Sequence, residues 1–386
     1  MTVLRKQDGF SLTELLVTMV IFALVIVAAS NIFMGILGQF KQQSKIAESN
    51  IEGLIGLQML KTDVEQAGFG LPWNLGTATY LEAINSPNTI TTWNDTLFND
   101  STANAPRPIV FGDGLALNSS DVLVVKATSI GTARAAQRWT SIANTAAGNQ
   151  PAARWTPDTI NENLEDNDRV IVIKPVSGSR MRELISSGAF FTMFDVGAYT
   201  SAATLAAGFL PTAGSSDTHL LYGVGTSDLR MPFNRADFYV RRPATGMPSQ
   251  CSTDAGTGIL YKAVVINNTG VAAGALQELP LLDCVREMQI VFGWDANTTD
   301  TDNSANTWGA LPTAWTAAEV RDRLKEVRIY ILAHEGQRDN SYTSPATITA
   351  TDPDAGQVIN FDAAAANLRN YRWKIYTLVA KPYSMR

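Results

Sequence analysis

The chain has 386 residues, 45% hydrophobic and only 17% charged, with 28 glycines and 16 prolines, which is enough for one large or two ordinary domains. A formal net charge of −6 argues against a general nucleic-acid binder, which carries a basic excess. Two cysteines, Cys251 and Cys284, are too few for a disulfide-dense scaffold but enough for one bridge.

In chain order, the first feature is a short leader, MTVLRKQDG, followed by an apolar run. Residues 15–40 hold no Asp, Glu, Lys, Arg or His. A bilayer core takes about 20 apolar residues as a helix, so this run can span one. Arg5 and Lys6 keep the start cytoplasmic by the positive-inside preference. No Ala-x-Ala cleavage site follows, so the plain reading is an uncleaved signal anchor with the bulk of the protein outside the cytoplasm. Glu14 is the anomaly. A carboxylate in such a helix costs about 2.5–3.5 kcal/mol even on the lenient insertion scale, which makes it a functional candidate in need of a partner.

Gly9-Phe10-Ser11-Leu12-Thr13-Glu14-Leu15-Leu16 resembles the cleavage and methylation motif of type IV prepilins and type II secretion pseudopilins. The resemblance implies that a dedicated peptidase cuts between Gly9 and Phe10 on the cytoplasmic side and methylates the new amine of Phe10. Glu14 is then the fifth residue of the mature chain. Cleavage leaves a cation at Phe10, and Glu14 is its natural neutraliser, in the same subunit or a neighbour, so that the carboxylate sets axial register in a filament. The plainer alternative is that Glu14 sits at the membrane face and is solvated.

The helix is expected to run on over 10–67, because no proline occurs before Pro72 and 41–66 has a good helix composition. Leu57, Leu60, Val64 and Ala67 share one face by the i, i+3, i+4 rule, and Ile51, Ile55 and Met59 another. One face suits the protein's own sheet and the other neighbouring helices. Gly35, Gly38, Gly53 and Gly56 each weaken the helix by about 1 kcal/mol relative to Ala, and the first pair is where unwinding under filament strain is expected. Gly68-Phe69-Gly70-Leu71-Pro72 ends it.

From residue 68 the period changes. The runs 121–125, 169–173, 237–240, 260–266, 285–294, 327–333 and 373–380 read as strands of a largely antiparallel fold. One helix is expected after Trp315, where Thr316 and Glu319 have capping-box spacing. The stretches 127–165, 294–315 and 339–368 read as surface insertions. The fold class is α+β. A leader, 1–9, and a long N-terminal helix, half transmembrane and half packed on the head, precede a β-rich head, 68–386.

Within the prepilin group the details resemble the minor pilins called PilW. The resemblance rests on the stretches 60–69 (LKTDVEQAGF), 282–295 (LDCVREMQIVFGWD) and 319–333, and leaves most of the middle unmatched. It implies an inner-membrane protein with a periplasmic head that primes or caps a type IV pilus. Its partners would be prepilin peptidase, other minor and major pilins and the inner-membrane assembly platform, and it would end at the pilus tip or cell surface. The alternatives are a type II secretion pseudopilin like GspJ, which has a smaller head, and an adhesin-like tip module.

Neither His219 nor His334 belongs to a metal or catalytic pattern, so each reads as a surface or strand residue, and no enzyme is expected. No cofactor is expected, although Asp295, Asn297, Asp300, Asp302 and Asn303, and likewise Asp352 and Asp354, crowd oxygen atoms into loops in the manner of a structural calcium site without completing the EF-hand spacing. Arg369, Tyr371, Arg372, Trp373, Lys374 and Tyr376 interleave bases with aromatics, as a nucleic-acid strip would, but fit an ordinary strand better, and no nucleic-acid partner is expected. In an oxidising periplasm Cys251 and Cys284 should pair, stapling a loop to a strand.

Overall fold

The computed structural model describes residues 11–84, 95–145, 148–151, 162–179, 181–195, 205–251, 256–297 and 304–385. The chain divides into two compact units, Met1–Ile51 and Glu52–Arg386. Helix α1, Leu12–Glu65, supplies most of the first unit and lends its last turns to the second. Gly35 and Gly38 fall within the helix without breaking it.

The second unit is built on two antiparallel sheets. The larger has eight strands in the order β1 (Ile109–Gly112), β2 (Val122–Ala127), β9 (Asn234–Arg241), β10 (Gly258–Val265), β11 (Leu276–Trp294), β13 (Leu324–Glu335) and β16 (Arg372–Ala380), with β12 (Thr307–Gly309) also on β11. The smaller has β4 (Gly148–Pro151), β3 (Trp139–Thr145), β8 (Thr218–Gly225), β5 (Arg169–Pro175) and β6 (Arg182–Leu184), with β7 (Thr192–Met193) on β5. The hairpin β14 (Thr347–Asp352) and β15 (Gly356–Asp362) stands apart as a two-stranded sheet. The result is an α+β protein whose sheets are antiparallel throughout their named pairings.

Alternation along the strands separates two cores. Leu123, Val125, Ala236, Phe238 and Val240 point toward Leu57, Leu60, Val64 and Ala67 of α1. Val122, Val124, Tyr239 and Tyr261 point the other way, into a core shared with Ile171, Ile173 and Tyr222 of the smaller sheet. The large sheet is therefore covered on both faces, which is why its central strands read as continuous buried runs rather than as a strict alternation.

Three expectations need correcting. The stretch 127–165 is not only surface insertion: Trp139–Thr145 is a strand of the smaller sheet, and Thr140 and Ile142 are buried. The strand expected at 285–294 begins nine residues earlier, at Leu276. Pro280 and the polar Gln277 and Glu278 disguise its first half, which pairs with β10, while the second half pairs with β13. Both pairings shift register beside Cys284, a non-glycine residue with φ 55°. Finally, 339–368 carries the hairpin, whose Ile359 and Phe361 seal a core with Tyr330, Leu332 and Tyr371.

A buried ion cluster fixes the segment before β1. Lys126 Nζ lies 2.9 Å from Glu82 Oε1 and 2.6 Å from Asp100 Oδ2. Arg235 donates to both oxygens of Asp237 at 2.8 Å, to Glu82 Oε2 at 3.1 Å and to Asn99 Oδ1 at 2.6 Å. Arg107 Nε donates to Asp100 Oδ1 at 2.6 Å. Burial alone would push Asp100 up, but Lys126 and Arg107 hold its carboxyl below the ordinary value. Three cations and three carboxylates thus balance one another, all dry or nearly so except Arg107, which reaches the surface.

Candidate functional site

The motif residues Gly9 and Phe10 lie outside the described residues. The description begins at Ser11, and there Glu14 already has a partner. Its Oε2 accepts from Ser11 N at 2.9 Å and from Ser11 Oγ at 3.0 Å, while Ser11 Oγ accepts from Glu14 N at 3.3 Å. The reciprocal pair is a capping box at the start of α1, satisfying backbone donors that no helical carbonyl can reach. The sequence reading gave Glu14 only the Phe10 amine and missed Ser11, although Ser11 to Glu14 has the same spacing as Thr316 to Glu319.

Beyond this cap, Leu12–Met34 is apolar and long enough to cross a membrane, about 35 Å at the helical rise. None of it is buried within the protein. Leu12, Leu15, Phe22, Leu24, Phe33 and Met34 all stand open. In water so much apolar surface is unfavourable, so lipid or other apolar helices must cover it.

In the second unit the last turns of α1 have two characters. Leu57, Leu60 and Val64 are at most 2% exposed and face the large sheet, whereas Leu54, Ile55 and Met59 are 59%, 63% and 42% exposed. The buried stripe is the one that helical spacing gives; of the other, Ile55 and Met59 are exposed, and the side chain of Ile51 lies outside the described residues. Gly53 and Gly56 belong to the buried side, where a Cβ on Gly56 would lie 2.0 Å from the carbonyl oxygen of Leu281. These glycines are therefore contact positions, not merely weak points: the helix rests directly on the backbone of β11. Asp63 and Lys262 fix the same contact with a 2.7 Å ion pair. Burial pushes the Asp63 carboxyl up, against the pull of Lys262. The turn after α1 is held by Gly68 at φ 80°, whose N–H donates to Lys126 O at 2.9 Å. The Ser384 hydroxyl closes the other end of the chain onto the carbonyl of Ala67.

The remaining sequence candidates are placed as follows. Cys251 and Cys284 are joined, with Cα atoms 4.8 Å apart. Of the oxygen-rich loops, 298–303 lies outside the described residues, and Asp295 Oδ1 accepts from Asn297 N and Asn306 Nδ2, both at 2.8 Å. The cation at Asp352 and Asp354 is Arg328, whose Nη1 lies 3.1 and 2.7 Å from them, and whose guanidinium stacks on Trp308. Among the described residues no three His, Cys, Asp or Glu side chains converge as they would around a metal ion. His219 and His334 are strand residues, as expected, but buried rather than on the surface. His219 Nδ1 pairs with Phe209 O and His334 Nδ1 with Gly336 O. The basic-aromatic strip forms β16, where Arg372 pairs with Asp339, Lys374 with Glu335, and Tyr371 is buried.

An apolar span near the N-terminus, long enough to cross a membrane, precedes an antiparallel β-rich unit. Residues 4–30 match the family described as prokaryotic N-terminal methylation motif, and residues 237–381 match type IV pilus-assembly protein W. The second match covers the chain from β9 through β16, the strands on which α1 rests among them. The two matches support a type IV pilus pilin of the PilW family, and the families matched are structural components of pili. No curated protein and no solved structure matches it.

Proposed function

We propose that the chain is cut between Gly9 and Phe10 by prepilin peptidase, methylated at Phe10, and held in the inner membrane by its apolar span with the β-rich unit in the periplasm. From there it primes or caps a type IV pilus through its N-terminal helix and travels to the tip. The observation that carries this reading is the uncovered apolar surface of Leu12–Met34 beneath a single carboxylate, Glu14. Hydrophobic surface without a partner in the chain itself calls for lipid before assembly and for other pilin helices after it.

Two substitutions separate the two jobs open to Glu14. Glu14→Leu removes both the charge and the cap, and leaves membrane insertion intact or improved because a costly group is gone. Glu14→Gln keeps the cap, since an amide serves at that position of a capping box, but removes the charge. If the carboxylate neutralises an N-terminal amine, both variants insert and neither enters filaments. N-terminal mass spectrometry of the wild type should find methylated Phe10. An intact Met1, or normal piliation with full incorporation of Glu14→Leu, overturns the reading.

A further inference from the structure

A cleft of about 540 Å³ opens between the segment around Asp100 and Arg107, the stretch leading into α2 (Ala317–Arg323), and Trp73. Such a volume falls within the range of small-molecule sites. Two guanidinium groups line it, and both hold donors in reserve. Arg107 commits Nε to Asp100, and among the described residues neither of its Nη atoms has a hydrogen-bond partner. Arg321 lies with its guanidinium carbon 3.8 Å from the centre of the Trp73 ring, its side chain only 11% exposed. Its Nε is buried without a hydrogen-bond partner, and the nearest carboxylate, Asp322, stops at 4.0 Å. Arg182 stands over the same indole at 5.2 Å, so Trp73 carries two cations. Burial and the nearby Arg182 depress the Arg321 guanidinium, with Asp322 opposing them.

The one carboxylate in the lining, Asp100, is already neutralised by Lys126 and Arg107. The cleft therefore has a surplus of positive charge and unfilled planar forks, the arrangement that recognises a carboxylate. The rest of the wall is not that of a bare anion site. Trp315 offers an indole, and the side chains of Ser101 and Asn104 have no hydrogen-bond partner among the described residues. Aromatic surface beside hydroxyl and amide groups suits a ring with an apolar face and hydroxyl edges.

We propose that this cleft binds a saccharide carrying a carboxylate. The acid group meets Arg321 and Arg107, the sugar ring lies against Trp315, and Ser101 and Asn104 receive its hydroxyls. The site is independent of the assembly role and gives the β-rich unit a ligand of its own.

The test is isothermal titration of the full chain in detergent micelles with three probes: trigalacturonate, its fully methyl-esterified form, and inorganic phosphate. Trigalacturonate should bind, the ester at least tenfold more weakly, and phosphate more weakly again. Arg321→Gln should weaken trigalacturonate binding at least tenfold while leaving the thermal midpoint in place. Should that variant fail to fold, Asn104→Ala, on the exposed rim, decides by a severalfold loss. The proposal is overturned by no binding of trigalacturonate at millimolar concentration, by equal affinity for acid and ester, by phosphate binding as tightly as the sugar acid, or by a folded variant that binds like the wild type.

Discussion

Gly56→Ala tests the seat of the helix on the sheet. In an isolated helix the change is favourable by about 1 kcal/mol, because glycine is the poorer helix former. Here the new methyl would lie 2.0 Å from Leu281 O, 2.7 Å from its carbonyl carbon and 2.8 Å from its Cα. Ordinary contact begins near 3.4 Å, so helix and strand must part by about 1.4 Å, and the atoms in the way are backbone that cannot rotate aside. Parting them also loosens Leu57, Leu60 and Val64 from the core. Overpacking of this kind costs about 1–3 kcal/mol, and a backbone clash belongs at the upper end, so a net loss of about 2 kcal/mol is expected after the propensity gain. Gly53→Ala is the internal control. Its Cβ meets only the Cδ1 tip of Leu282, at 2.6 Å, which a rotamer change relieves, so its stability should stay near that of the wild type. Urea unfolding of the full chain in micelles, followed by tryptophan fluorescence, reads both. A Gly56→Ala midpoint at or above the wild-type value, or equal losses in the two variants, would show that α1 does not rest on β11 at this point.

Two further outcomes are expected. Non-reducing peptide mapping under a thiol trap should recover Cys251 and Cys284 in one linked peptide; their separation of 33 residues makes removal of the bridge worth about 3–4 kcal/mol in the chain-entropy picture, and alkylation of both thiols before reduction would contradict it. Burial pushes His334 down to about 4 from 6.5, so the unfolded chain takes up a proton that the folded one refuses; the associated stability, up to about 3 kcal/mol, is present above pH 6.5 and lost as pH falls toward 4. His334→Phe, which keeps an aromatic ring beside Tyr371 and Trp373, should lack that slope, and parallel pH curves for the two proteins would refute the assignment.

What could be read from the sequence was whatever has a local period or a local partner. Leu57, Leu60, Val64 and Ala67 repeat at helical spacing and are all buried. Thr316 and Glu319 form the reciprocal cap that their spacing announces. The central strands of the large sheet are runs of β-branched and aromatic residues and fall where such runs occur. The features that stayed hidden depend on distant chain. Trp139–Thr145 is too polar to look like a strand until β8 lies beside it. Gly56 looks like a helix weakness until Leu281, 225 positions later, arrives against it. The carboxylate cleft draws Trp73, Arg107 and Arg321 from three remote segments, none carrying a motif. Ser11 is the exception, a local partner whose capping role was masked by the more conspicuous reading of Glu14.

The ion cluster around Lys126 and Arg235 has an evolutionary corollary. Apart from Arg107 each charge there is fully or almost fully dry, and a lone survivor would carry a penalty of about 3–5 kcal/mol, a large share of a domain's net stability. A single-step replacement of Lys126 or Glu82 would thus pass through an intermediate that folds poorly, whereas replacing the whole set by apolar groups would not. Descent should therefore transmit these residues as a block: relatives keep the cluster intact or lack it entirely, and its members vary together although 155 positions separate Glu82 from Asp237.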